Sequence, residues 1–435
     1  MVRVIITKGT NNKREEEVRG MSVSALESKR LDMVLKGDED VEVVGTGTDA
    51  VAYALMLADV DVTSAYPIRP YGGVMQTVAR LIADGYMKAE YIVAAHEHDQ
   101  FEIVKHASAV GARTFVGSSG VGWLLAIEAI VATSTDRYPV VALIGNRALD
   151  DPGAYGVEHN DALMVRDVGW LLTWVDAAQE ALDTTLIAYR VAEDPRIMLP
   201  VGISMDGAFL THSEHAFKIP PKSKVQKFLP PYDLGNRKLH PSNVISVAPQ
   251  VNEDWVTELR KQMDEAMKNA RKVIEEAYRD FAKIFGRDYG NPFVEPYMVE
   301  DADVVMIGMG TVSKPIKEAV RRLRARGEKV GFLRIRWFRP FPTEDIIRYL
   351  SGVKVAAVVD RDYSFGSPFD GGAVFTEIRS ALYEAEHRPL MMNFIGGLGG
   401  REITYNDAIN MFNMALDAAR KGKVEQRVIW YGVRE

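Results

Sequence analysis

Three short stretches bring together residue types suited to acid–base or anion chemistry. The first is Ser64-Ala65-Tyr66-Pro67-Ile68-Arg69-Pro70-Tyr71. Its two prolines exclude a helix interior or central strand and hold the preceding residues extended, so Arg69 rides on a stiff loop. A permanently charged fork on such a loop suits a carboxylate or phosphate. A surface arginine in an ordinary turn is the competing reading. The second stretch is Gly145-Asn146-Arg147-Ala148-Leu149-Asp150-Asp151-Pro152-Gly153-Ala154-Tyr155-Gly156, another arginine directly after an apolar run. The third, His96-Glu97-His98-Asp99-Gln100, sets a carboxyl group among histidines at the start of a helix. Ser118 and Ser119 in GSSGVG stand where helix-start N–H groups bind an anion, or where a hydroxyl caps the helix.

The elements that must position these groups alternate between strand and helix. Pro139-Val140-Val141-Ala142-Leu143-Ile144 is apolar throughout, as a central parallel strand is. Strands near Val41–Val44, Tyr91–Val93, Thr114–Gly117 and Ile197–Val201, with helices between them, predict an open α/β sheet. In such sheets ligands bind beyond the carboxyl ends of the strands, so Arg69 and Arg147 can face one crevice. The Gly45-Thr46-Gly47 turn invites a dinucleotide reading, but no acidic residue ends a second strand about 20 positions on. Tight strand-to-helix packing is the better explanation. Prolines at 220–221 and 230–231 mark a connector, followed by a charged, periodic helix from Glu253 to Phe285. A second α/β alternation follows, with strands at Val304–Ile307, Val330–Ile335 and Val355–Val359. Arg339 in RWFRPFP fits packing at a domain interface better than catalysis. The expected units are an N-terminal extension (1–39) that could grip a partner subunit, a first domain (40–220), a connector with a long helix (221–298), a second domain (299–425) and a C-terminal tail (426–435).

Composition removes several classes of function. A net charge of -7 argues against nucleic acid or an anionic membrane as the main partner. No apolar run reaches the roughly 18 residues needed to cross a bilayer, and no signal-peptide core opens the chain, so a cytoplasmic location is expected. The chain has no cysteine, which excludes disulfides, thiol nucleophiles and cysteine-held clusters on it. Its 8 histidines form no H-E-x-x-H pair, and no metal ligands are assigned.

The ordered strings VAYAL, YPIRP, HEHDQFEIVKHASAVGARTFVGSSGVG, GNRAL and HNDAL, then GEKVGFLRIRWFRPFP, VVDRDYSFG and GGLGGREIT, resemble the α subunit of 2-oxoacid:ferredoxin oxidoreductases. Within this family, part of the pyruvate:ferredoxin oxidoreductase superfamily, the sequence is most similar to oxalate oxidoreductase. The resemblance implies a thiamine-diphosphate-binding, pyrimidine-type parallel-sheet domain followed by a smaller transketolase C-terminal-like α/β domain. It places on Glu97 the carboxyl group that shares a proton with the cofactor's aminopyrimidine ring, with Tyr66, Pro67 and Ile68 as further cofactor contacts. It places the substrate-carboxylate arginine on Arg147.

At Arg69 the sequence departs from pyruvate-using members, which carry threonine in a YPITP string. A second guanidinium would neutralise the second charge of oxalate, a dianion without an apolar end, and would disfavour substrates that have one. Asp150, Asp151 and Tyr155 lie in a segment that resembles the mobile substrate loop of the oxalate enzyme. Alanine stands here where that enzyme has the acid immediately before the aromatic. No G-D-G string for a magnesium–diphosphate is present. The resemblance therefore assigns the diphosphate and Mg2+ to a β subunit. The [4Fe-4S] clusters go to γ or ferredoxin-like δ partners, ferredoxin is the acceptor, and a dimer of heteromers is the expected assembly. Alternatives are pyruvate or another small 2-oxoacid used with coenzyme A, a non-oxidative thiamine-dependent decarboxylase, a nucleotide-dependent dehydrogenase and a non-catalytic scaffold.

Overall fold

The computed structural model describes residues 23–150 and 152–434. Helix α1 (Val23–Lys36) opens it. The sequence predicts an arm here; instead Leu31 and Val34, three residues apart and both buried, dock the helix on the body. The rest of the expected arm, residues 1–22, lies outside the described residues. Strand β1 (Val41–Gly45) and helix α2 (Gly47–Leu57) follow. Strand β1 does not join a main sheet. It pairs antiparallel with β8 (His215–Ile219) in a two-stranded ribbon. The G-x-G turn is explained by packing: a Cβ on Gly47 would sit 2.9 Å from Leu210 and 3.0 Å from Met205 Sδ. Helix α2 starts with a capping box between Thr46 and Asp49.

The first large sheet is built from β2 (Val62–Ala65), β3 (Glu90–Val93), β4 (Thr114–Ser118), β5 (Val141–Asn146), β6 (Leu171–Val175) and β7 (Val201–Asp206), with β12 (Trp337–Arg339) at one edge. Its order is β12-β6-β7-β5-β4-β2-β3, parallel except for β12. The helices between these strands are α3 (Gly72–Ala83), α4 (Glu97–Ala109), α5 (Gly120–Leu125), α6 (Ile127–Thr135), α7 (Asn160–Leu163) and α8 (Ala178–Ala192). Strand β7 begins at Val201 and not at Ile197 because Pro200 has no N–H and Met198 holds a left-handed backbone (φ 49°). From β2 the chain steps outward to β3, then returns to the other side of β2 as β4. The carboxyl ends of β2 and β4 are thus a topological switch point, where a crevice opens.

Helix α9 (Lys222–Phe228) and the 34-residue α10 (Asn252–Phe285) follow, α10 stopped by left-handed Gly286 (φ 73°). The second sheet has the order β15-β14-β13-β10-β11-β9. Its strands are β9 (Val294–Tyr297), β10 (Val304–Gly308), β11 (Val330–Ile335), β13 (Val355–Asp360), β14 (Leu390–Ile395) and β15 (Val428–Trp430). Its helices are α11 (Ser313–Arg324), α12 (Thr343–Leu350), α13 (Ala373–Leu382) and α14 (Tyr405–Lys421). The segment expected as a C-terminal tail therefore contributes β15, which pairs with β14. Arg339 packs between the sheets, donating to the Arg166 carbonyl and to Glu377.

The protein is thus two mostly parallel α/β units docked against each other. Between the units runs a seam of buried charges. Asp206 at the end of β7 accepts from His159, Thr311 and Arg361. Glu180 on α8 accepts from Arg334 and Arg336.

Candidate active site

The loop after β2 is fastened at both ends. Tyr66 N donates to Gln100 Oε1 (2.9 Å), and Gln100 Nε2 donates to the Gly117 carbonyl (2.8 Å), bridging the loop to β4. At its far end Tyr71 N donates to Ser119 Oγ (3.2 Å). The Tyr71 ring fills the space where a Cβ on Gly117 would lie, 2.2 Å from that position. Between these anchors Tyr66 and Ile68 are half-buried, while Pro67 and Arg69 are exposed. The Arg69 side chain takes no hydrogen bond or ion pair from the described residues. Gln100 is fully buried; the sequence places it in the third stretch but assigns it no role of its own.

Glu97 is the first residue of α4, with His96 as N-cap. It is 5% exposed, yet no described residue donates to its carboxylate or pairs with it. A Cβ on Gly122 would lie 2.2 Å from Glu97 Oε1 and 2.6 Å from Ile68 Cδ1. The glycine therefore leaves room for the glutamate and the isoleucine to converge on one wall of the crevice. His96, His98 and Asp99 are the described residues whose metal-binding atoms group within 4.8 Å. His96 Nδ1 accepts from Asp99 N (3.4 Å), so that nitrogen serves as the helix cap. The positive end of the helix dipole also opposes a cation there.

Arg147 follows β5, separated from β2 by β4 alone, and is 7% exposed. Its Nη1 donates to the Arg69 carbonyl (3.1 Å), so the two arginine loops meet over β4. Its Nη2 donates to Asp150 Oδ2 (2.6 Å), and the Tyr155 ring lies 5.4 Å from the guanidinium carbon. Its Nε is buried and has no hydrogen-bond partner among the described residues. Asp150 thus occupies one side of the guanidinium, with the Tyr155 ring, 69% exposed, beside it. Asp151 lies outside the described residues.

The N–H group after Ser119 is already taken. Gly120 N donates to the buried carboxylate of Asp161 (3.0 Å), an internal anion that the sequence left without a role. Ser119 Oγ does not cap the helix but receives Tyr71 N. Burial raises the Asp161 carboxyl to about 6, against the pull of hydrogen bonds from Asn146, Gly120, Arg147 and Ala162.

A parallel sheet with a topological switch point, and a second α/β unit docked beside it, is the architecture of the thiamine-diphosphate-binding class. Residues 53–279 match the family described as "Pyruvate flavodoxin/ferredoxin oxidoreductase, thiamine diP-bdg", and residues 302–408 match "Pyruvate:ferredoxin oxidoreductase core domain II". The chain is 38% identical over 396 residues to pyruvate synthase subunit PorA of Methanocaldococcus jannaschii, covering 91% of this chain and 99% of that one. It is 35% identical over 398 residues to ketoisovalerate oxidoreductase subunit VorA of Pyrococcus abyssi, covering 91% and 98%. A 2-oxoglutarate:ferredoxin oxidoreductase from Magnetococcus marinus shares the fold, with a TM-score of 0.63 at 19% identity over 87% of this chain and 66% of that one. The chain belongs to the 2-oxoacid:ferredoxin oxidoreductase family, as its α subunit. It is an oxidoreductase subunit with a thiamine-diphosphate-binding domain. No helix among the described residues is long and apolar enough to cross a membrane.

Proposed function

We propose that this chain is the α subunit of an oxalate-type enzyme. It would cleave oxalate to two molecules of CO2 and release two electrons to iron–sulfur clusters on partner subunits and then to ferredoxin. The observation that carries the substrate is Arg69. An exposed guanidinium without a partner among the described residues takes the place of the family's threonine, on a loop whose backbone is hydrogen-bonded to Arg147. Arg147 would bind one carboxylate through Nε and Nη2 once Asp150 withdraws, and Arg69 would bind the second. Tyr155 would close over the pair and exclude water.

Glu97, Ile68, Tyr66 and Pro67 would hold the pyrimidine end of thiamine diphosphate. A buried carboxylate without a donor, beside a glycine that leaves it room, fits a ring that brings its own hydrogen-bonding nitrogen. When bound, thiamine diphosphate supplies the electron sink that lets the carbon–carbon bond of the substrate break. Glu97 would take and return a proton at its carboxylate.

The diphosphate and Mg2+ would be held by a β subunit, and clusters by further partners, since the chain offers neither a G-D-G segment nor a cysteine. Around Glu97 the surface supports a partner. Strand β3 is an open sheet edge with Ile92 and Val93 exposed, and Val121, Leu125 and Ile127 are exposed near the helix start.

The relatives' printed names favour a second reading, a monocarboxylic 2-oxoacid used with coenzyme A. Near-equal identity to pyruvate and ketoisovalerate enzymes means overall similarity does not choose the substrate. The test is a substrate panel on the complex purified with its native partners. Anaerobic viologen reduction would be followed with oxalate, glyoxylate, pyruvate and 2-oxoglutarate, with and without coenzyme A. Reduction by oxalate without coenzyme A is expected. Reduction only by a monocarboxylate with coenzyme A overturns the oxalate reading and keeps the family.

A further inference from the structure

The side chain of Asp161 is fully buried and accepts four hydrogen bonds. Its Oδ2 takes the backbone N–H of Gly120 and of Arg147, both at 3.0 Å. Its Oδ1 takes Asn146 Nδ2 and Ala162 N, both at 2.8 Å. The donors come from the start of α5, the end of β5 and the start of α7. Gly120 and Arg147 are 27 positions apart, so no local turn sets their spacing. One carboxylate does. Without it, two buried N–H groups would face each other with no acceptor between them.

The consequence falls on the Arg147 side chain. A Cβ on Gly120 would lie 2.7 Å from Arg147 Cγ and from Arg147 Nε, so the arginine stem runs directly across the glycine. Where the guanidinium arrives is therefore fixed by the spacing of the two backbones that Asp161 joins. The donor set also explains why an acid stands here. Asparagine has the same shape, but its amide NH2 would meet at least one N–H head-on.

We propose that Asp161 is the positioning residue of the site, locking the Arg147 backbone to Gly120 so that the guanidinium is aimed at a substrate carboxylate. The proposal rests on the assignment of Arg147 to that carboxylate. A displacement of about 1 Å at such a contact costs on the order of 10²-fold in rate.

The test is a double-mutant cycle in the assembled complex, reading kcat and KM for the substrate that the panel identifies. Asp161→Asn is expected to lower kcat/KM by about 10²-fold in the otherwise unaltered enzyme. In an Arg147→Ala background it should lower kcat/KM less than about threefold, because the group it positions is gone. A structural role would instead give the same loss in both backgrounds, and that result overturns the proposal while leaving the arginine's assignment intact. An Arg147→Ala enzyme with unchanged kcat/KM overturns both together. Should Asp161→Asn fail to assemble, Asn146→Ala, which removes one donor and leaves the backbone pair, carries the same test. Its smaller loss must also vanish in the Arg147→Ala background, and an equal loss in both backgrounds counts against the proposal.

Discussion

The seam between the two α/β units and the crevice at the ends of β2 and β4 are built from the same residue types and treat them in opposite ways. In the seam three buried carboxylates meet cations. Asp206 faces His159 and Arg361, Glu180 faces Arg334 and Arg336, and Asp176 pairs with Arg334 and Lys314. In the crevice Glu97 is as buried as Asp176 but faces no cation among the described residues, and the exposed Arg69 faces no acid among them. Arg147 has an acid only in Asp150, from the loop that covers it. Burying a charge without a partner is costly, and stability alone would remove it. The contrast separates charges that hold the units together from charges that, on the proposed reading, are kept for a ligand.

The comparison breaks most sharply at Glu97. Glu97→Gln preserves shape and removes only the titrating group. Turnover in the assembled complex should fall by about 10²–10⁴-fold, with the thermal midpoint unchanged or raised because no partner is lost. Turnover within tenfold of the unaltered enzyme would place Glu97 with the structural charges.

The converse change is Asp206→Asn. It leaves Arg361 and His159 buried against a neutral group, and unfolding stability should fall by about 3–5 kcal/mol in denaturant titration. A loss near zero would mean the seam is not what docks the units. Acid provides a third probe. Burial pushes the Asp206 carboxyl up, but His159, Arg361 and Thr311 pull harder and hold it at about 2. Its contribution, about 2 kcal/mol, is complete above the ordinary carboxylate range near 4 and is lost as pH falls toward 2. Asp161 works in the opposite sense. Its folded value of about 6 means the native state takes up a proton that the unfolded chain does not, so its contribution weakens stability as pH rises from about 4 to 6. Subtracting the pH–stability curves of Asp206→Asn and Asp161→Asn from that of the unaltered protein should give slopes of opposite sign.

Much of this arrangement was legible in the sequence because local chemistry dictated it. The apolar run of β5, the two prolines around Arg69 and the periodic helix ending at Gly286 each follow from a few adjacent residues. Arg69 and Arg147 were expected at two strand ends facing one crevice, and their loops do meet. What escaped was non-local. Strand β12 is three residues that complete a sheet more than 160 positions upstream, and nothing in Trp337-Phe338-Arg339 names that partner. Strand β6, Leu-Leu-Thr-Trp-Val, is too short for its period to declare itself. The pairing of Asp161 with Gly120 and Arg147 joins three segments that no motif connects, and Asp150 on Arg147 depends on how the covering loop folds back.

The smallest expected effect is also the most informative about substrate. Arg69→Thr introduces the residue that the resemblance gives to pyruvate-using members and removes a charge with no partner among the described residues, so stability should not move. For a dianion, the loss is one set of charged hydrogen bonds, about 1.5–3 kcal/mol, or roughly 10- to 100-fold in kcat/KM for oxalate. For pyruvate, whose methyl group would face the same position, the loss should stay within about threefold. Because both substrates would use Arg147, the ratio of the two effects isolates Arg69 from everything that positions its neighbour. An equal loss for both would assign Arg69 to the general field of the crevice, and the second charge of the substrate would then need another partner.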